Sequence, residues 1–188
     1  MEQGRSPLLL AAQYLEAGGF RNALPDNFRF ELLKECHSEA IVRWRNAPEN
    51  RDAFFSVRPL TVADQVRFLE TYETRDRIDF VLVDGERSKP IGVFTLKELH
   101  TAPELGKLLG EREYRGRGLG LSATRAMLDF GFDWLGLPEV VAQTQKVNEP
   151  NIHLNGRLGF VVDTEFDSGA ITYLRMRLTR DEFSKLAT

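Results

Sequence analysis

Seven residues, Tyr114-Arg115-Gly116-Arg117-Gly118-Leu119-Gly120, constrain this chain more than any other stretch. Glycines at three alternate positions permit backbone conformations that other residues avoid, and they let the main chain come close to a bulky group. The segment lies between a strand-like run, 104–109, and the longest helical pattern, 118–135. In that pattern Leu119, Ala123, Met127, Phe130 and Trp134 recur at helical spacing, with Ser122, Arg125, Asp129 and Asp133 on the other side. Strand, glycine turn and helix start together aim unpaired N–H groups at one point, and Arg115 and Arg117 add positive charge there. The pattern suits a pyrophosphate. A phosphate loop of nucleotide hydrolases would need Lys followed by Ser or Thr, whereas Leu121-Ser122 follows here. A dinucleotide fingerprint would need a different glycine spacing. Taken alone, the segment could also be a tight structural turn.

The rest of the chain supplies one domain around this turn, since 188 residues match the usual size of a single core. Residues 1–27 read as an N-terminal extension: 8–15 has a short helical pattern, broken by Gly18-Gly19 and Pro25-Asp26-Asn27. Residues 28–180 form the main domain. Its first strand is 28–33, followed by a helix opened by Ser38 and fading at Asn46-Ala47-Pro48. Thr61 and Asp64 form a capping box before a helix whose buried stripe is Val62, Val66, Leu69 and Tyr72. Runs 80–83 and 90–95 flank Asp84-Gly85 and predict a hairpin. After the long helix come a strand at 140–144, a short helix at 151–158 with Asn148 as cap, and strands at 160–162 and 170–178. This order predicts an α+β (α/β three-layer) domain with a mixed, mainly antiparallel sheet and helices on both faces.

Formal charge -3 and pI near 5.7 argue against nucleic acid as a partner. The apolar stretch at 7–12 is too short for a membrane span. A single cysteine, Cys36, excludes an intrachain disulfide, is expected to be buried, and fits a cytoplasmic protein. His37, His100 and His153 share no metal-ligand spacing.

Two motifs together resemble the Gcn5-related N-acetyltransferase (GNAT) superfamily. Arg115, Gly118 and Gly120 match its Arg/Gln-x-x-Gly-x-Gly/Ala pattern, and Asn148-Glu149-Pro150-Asn151-Ile152 with Arg157-Leu158-Gly159-Phe160 resembles its closing signature. The resemblance covers about residues 28–178 and implies the acyl-CoA N-acyltransferase fold with acetyl-CoA as co-substrate. It further implies that 115–120 (Arg115, Gly116, Arg117, Gly118, Leu119, Gly120) binds the CoA pyrophosphate. The strand before it would splay from the strand at 140–144, so that Lys107 and Leu108 line the pantetheine arm and one of them offers a backbone N–H to the oxyanion. Asn148 and Asn151 would lie near the same arm.

Aminolysis of a thioester needs a base, because an aliphatic amine is mostly protonated at neutral pH. Glu104 is the first candidate: it begins the strand leading to the cradle, where the resembled family often carries Glu. His100 is the second, with a side chain that titrates in the useful range; Glu98 is weaker. Asn155 occupies the position where many members carry a tyrosine that protonates the thiolate. Asparagine is no acid, so water, Tyr114 or unassisted release would have to substitute.

Trp44-Arg45-Asn46, Pro48, Phe54-Phe55 and Pro59-Leu60-Thr61 resemble the branch acting on amino-sugar nucleotides, with protein N-termini and other small amines as alternatives. Arg43, Trp44, Arg45, Phe54 and Phe55 would then form the acceptor site, aromatics stacking and arginines forking onto phosphate. The expected partner is a small-molecule amine. A homodimer through the last strand is left open.

Overall fold

In this computed structural model residues 6–51 and 58–186 are described. The order is helix α1 (Pro7–Glu16), strand β1 (Phe28–Leu32), α2 (Ser38–Asn46), a short α3 (Pro48–Arg51), α4 (Val62–Glu70), β2 (Arg77–Asp84) and β3 (Lys89–Lys97). It continues with β4 (Glu104–Leu109), α5 (Leu119–Asp129), β5 (Glu139–Gln145), α6 (Glu149–Arg157), β6 (Val161–Ser168), β7 (Ile171–Thr179) and α7 (Arg180–Lys185). The strands form one sheet ordered β1-β2-β3-β4-β5-β7-β6, antiparallel throughout except where β4 meets β5. This is the mixed, mainly antiparallel sheet expected from the sequence.

Alternation along each strand divides the core in two. Ile78, Phe80 and Leu82 of β2, with Phe94, Leu96, Leu105, Val140 and Ala142, pack against α5. Val81 and Val83 face the other way, onto Ala40, Ile41 and Trp44 of α2 and onto Tyr72. The long helical pattern is α5 followed by a π-helical turn, Phe130–Trp134, and stops at Gly136, whose φ is 73°.

Residues 10–24 contribute to the main core. Ala11, Phe20 and Leu24 are buried in it, Tyr14 packs on Phe20 and Phe130, and Trp134 Nε1 donates to Leu10 O at 3.0 Å.

Three sequence expectations shift. The capping box forms, with Asp64 N donating to Thr61 Oγ1 at 3.1 Å, yet α4 turns Gln65 inward and leaves Val62 42% exposed. Cys36, expected to be buried, is exposed in a 3₁₀ turn. The last strand, β7, is interior, and the sheet edge is β6, where Val161 and Val162 are exposed.

Candidate active site

The site begins where the sheet comes apart. β4 and β5 run parallel but share a single bridge, Glu104 opposite Val141, with Val141 N donating to Pro103 O at 2.8 Å. Beyond it the strands pair only with their outer neighbours, β3 and β7. Hydrogen-bond alternation then fixes which groups face the gap. Gly110 N donates to Ile91 O at 2.9 Å, so Leu109 and Gly92 are a non-hydrogen-bonded pair and Leu108 exchanges both its bonds with Val93. The backbone N–H of Lys107 therefore faces the gap, and that of Leu108, the other expected donor, does not.

At the wide end of the gap sits the glycine segment. Gly116 and Gly118 have φ of 75° and 77°, the left-handed region that favours glycine. A Cβ on either would meet no atom within 4 Å, so the space over them is open. Gly118 is the N-cap of α5, and Leu121 and Ser122 both donate to its carbonyl, which leaves Leu119 and Gly120 N–H at the orphan positions of the first turn. Arg115 braces the loop: Nε donates to Leu109 O at 2.9 Å and Nη2 to Asn50 Oδ1 at 3.0 Å. These acceptors are neutral, so its charge remains beside the cradle. Arg117 is exposed and lies against the Tyr114 ring. Open glycines, a helix start and two cations suit a pyrophosphate group.

α6 closes one side. Asn148 caps it, its Oδ1 accepting from Asn151 N at 3.2 Å, and Asn151 Nδ2 donates to Thr144 Oγ1 on β5 at 3.0 Å. Asn155 is fully buried on the same helix. Its Oδ1 accepts from Lys107 Nζ at 2.6 Å, and its Nδ2 lies 3.5 Å from Met176 Sδ.

On the opposite face of the sheet Glu104 lies at the narrow end of the gap, ion-paired with Lys97 at 3.0 Å and accepting from Gln143 Nε2 at 3.1 Å. His100 is in an exposed loop, its Nδ1 2.6 Å from Asp76 Oδ1. His37 is buried and accepts from Lys34 N at 3.1 Å; burial lowers its pKa. His153 is exposed on α6. Tyr114 is buried with its hydroxyl donating to Asp84 Oδ2 at 2.6 Å, and burial followed by that carboxylate raises its pKa. It is committed to the core under the loop and supplies no acid to the gap.

Of the expected acceptor residues, Trp44 offers no ring face to a ligand. Trp44 is 2% exposed, its Nε1 donates to Glu111 Oε1 at 2.7 Å, and its ring fills the place a side chain at Gly110 would need. No ring face is left for a nucleotide. Arg43 is ion-paired with Glu111, as is Lys89 at 2.7 Å. Burial works to raise the Glu111 pKa, but hydrogen bonds from Lys89, Trp44 and Arg43 prevail and hold it down at about 2. Arg45 is half-buried near Arg77 and Asp79; burial and then the Arg77 charge lower its pKa. Phe54 and Phe55 lie outside the described residues.

Sequence reading missed a polar row on this face. Arg77, Lys97 and Glu104 are cross-strand neighbours, as are Asp79, Thr95 and Gly106. Asp79 is buried and accepts from Tyr72, Arg77 and Thr95. Thr95 and Glu104, polar within the predicted runs 90–95 and 104–109, were the available signal; Arg77, Asp79 and Lys97 lie beyond the runs read as strands. Among the described residues no cluster of His, Cys, Asp or Glu suits a metal, and no helix is long and apolar enough to cross a membrane.

Comparison with known proteins agrees with this geometry. Spermidine N(1)-acetyltransferase of Escherichia coli (strain K12) is 30% identical over 94 residues, half of each chain. This chain thus spans about half the length of that curated relative. Alpha/beta-tubulin-N-acetyltransferase 9 of Homo sapiens is 29% identical over 140 residues, 66% of each chain. The crystal structure of spermidine N-acetyltransferase from Vibrio cholerae in complex with CoA and spermine superposes with a TM-score of 0.76 at 18% identity, over 85% of this chain and 99% of that one. A model of the acetyltransferase (GNAT) domain matches residues 27–161, most of the sheet and the whole of the glycine segment, and the chain belongs to that family.

Proposed function

We propose that this protein is an acetyl-CoA-dependent N-acetyltransferase acting on a primary amine of a small molecule, by direct attack within a ternary complex. The observation that carries the reading is the parting of β4 and β5 after the Glu104–Val141 bridge, with the glycine cradle at its wide end. Acetyl-CoA would supply an activated acyl group as a thioester. Gly116, Gly118 and the first turn of α5 fit its pyrophosphate, and the gap between the strands fits its pantetheine arm. Lys107 N–H is the donor for the charge developing on the carbonyl oxygen. Glu104, across the sheet, takes the proton of the attacking amine directly or through water.

The acceptor is best read as a small aliphatic amine. The relatives compared are spermidine and tubulin acetyltransferases, which lend the amino-sugar reading no support. Burial of Trp44 removes its central stacking residue. On the acceptor face the charges cancel in pairs, Arg77 with Asp79 and Lys97 with Glu104. Among the described residues this face lacks the excess of negative charge that would select a polycation, so an amine with one charged nitrogen suits it better than spermidine.

The test is calorimetric titration of acetyl-CoA followed by a free-thiol release assay with aliphatic monoamines, spermidine, a peptide N-terminus and a 4-amino sugar nucleotide. Binding with release on a small monoamine is expected. Release only with the sugar nucleotide would restore the first acceptor reading, and binding without release on any amine would overturn catalysis.

A further inference from the structure

Lys107 holds a charged nitrogen where the fold offers little to stabilise it. Its side chain leaves β4 on the α5 face and reaches Asn155 of α6, which in turn contacts Met176 of β7. Met176 is the register partner of Ala142 on β5, so the Lys107 side chain lies across the gap between β4 and β5. It does so beside its own backbone N–H, the donor assigned to the thioester carbonyl.

The partner is a neutral amide. Lys97 and Lys89, by contrast, each have a carboxylate, Glu104 for the first and Glu111 for the second. A half-buried ammonium held by one amide oxygen is costly, and a methionine would fill the same space without that penalty. Burial alone pushes the Lys107 pKa down to about 7; no charged group of the packed elements adds to it. The position opposite, Asn155, is where the resembled family carries its acid.

We propose that Lys107 donates the proton that the departing thiolate takes up, with Asn155 as the positioning residue that holds the ammonium over the gap. This rests on the acetyl transfer proposed above. The amine nitrogen bonds to the acetyl carbon, the C–S bond breaks, and its electron pair stays on sulfur. One Nζ–H bond of Lys107 breaks as the S–H bond forms. Lys107 is left neutral, the form its surroundings favour, and recovers a proton from water before the next turnover. A donor whose pKa lies near the working pH can both release and recover its proton.

The experiment compares wild type, Lys107→Met and Lys107→Arg with two donors, acetyl-CoA and its selenium analogue acetyl-seleno-CoA, whose selenolate needs no proton to leave at neutral pH. With acetyl-CoA, kcat should fall about 100-fold in both variants, the size expected for loss of an acid catalyst, while KM for the donor changes little. Arginine keeps the charge but does not release a proton. With the seleno donor the deficit should shrink to less than about tenfold. Equal losses with both donors, an unchanged kcat, or an acetyl group found on Lys107 after turnover would overturn the proposal. No thiol release by the wild type would instead overturn the transfer reading itself. Lys107→Met should also raise the melting temperature. The gain should be largest below pH 7 and fade towards the ordinary lysine value of 10.5, where the unfolded chain loses the proton too. This separates loss of function from loss of fold.

Discussion

Gln143 Nε2 donates to Glu104 Oε2 at 3.1 Å across two strands that have just ceased to pair. The link spans the gap on the α2 face, as Lys107–Asn155 spans it on the α5 face. In the proposed reaction an amine entering from the α2 side would meet a carboxylate first, and a thiolate leaving on the other side would meet an ammonium. Proton uptake and proton delivery would then be separated by the thickness of one sheet.

Glu104→Gln should therefore lower kcat about 100-fold at pH 7, with CoA affinity unchanged. The deficit should narrow as pH approaches about 10, the range in which an aliphatic amine is deprotonated without help. Steady-state kinetics between pH 7 and 10 decide the matter. A wild-type kcat at pH 7 would remove Glu104 as the base, and an undiminished deficit at high pH would make its role positional.

Gly118→Val separates an anion cradle from a structural turn. The space around Gly118 is open and its φ is 77°, so the cost to folding is the left-handed strain alone, roughly 1–2 kcal/mol. The new methyl groups would occupy the place assigned to phosphate. CoA affinity measured by calorimetry should drop at least about tenfold, or 1.4 kcal/mol. Turnover with acetylpantetheine, which lacks the pyrophosphate, should be unchanged; an equal loss with both donors would mean that the turn serves the fold only.

What the sequence disclosed is what short-range chemistry determines. The cradle was legible because its glycines, arginines and helix start lie within seven residues, and the capping box because Thr61 and Asp64 are three apart. The bounds of β4, read as 104–109 running straight toward the glycine-rich turn, match the strand. Contacts made at long range were not legible. Lys107 and Asn155 are 48 positions apart, and nothing local says that one would seek out the other. Trp44 reads equally well as a stacking platform or as core until Gly110, on another element, is seen to leave room for its ring. Gln65 in place of Val62 on the buried side of α4 shows tertiary packing rotating an amphipathic helix away from the face its apolar spacing suggests.

Gly110→Ala tests the fit between that glycine and Trp44. The added Cβ would fall on the indole ring, which is itself fixed through Nε1 to Glu111 at 2.7 Å and cannot retreat freely. Stability should fall by about 1–3 kcal/mol in urea denaturation. Trp44→Phe in the same chain should restore part of it, because the two substitutions share one volume. Strictly additive losses would show that Trp44 does not fill the space above Gly110.

The last prediction concerns residues ahead of the matched family region, which begins at residue 27. Phe20 is 6% exposed, with its ring centroid 4.7 Å from Phe30, 5.0 Å from Phe80 and 4.8 Å from Tyr14. Those rings belong to β1, β2 and α1, so Phe20 joins the first helix to the centre of the sheet. Phe20→Ala should cost about 3–5 kcal/mol, a large part of the 5–15 kcal/mol typical of a folded domain, and Phe20→Leu much less because the volume is largely kept. The urea midpoints of the two variants measure this directly. A wild-type midpoint for Phe20→Ala would mean that the segment rests on the surface; the expected loss would make it a structural part of the acetyltransferase core, since the sheet that holds β4 open against β5 is built on the same cluster.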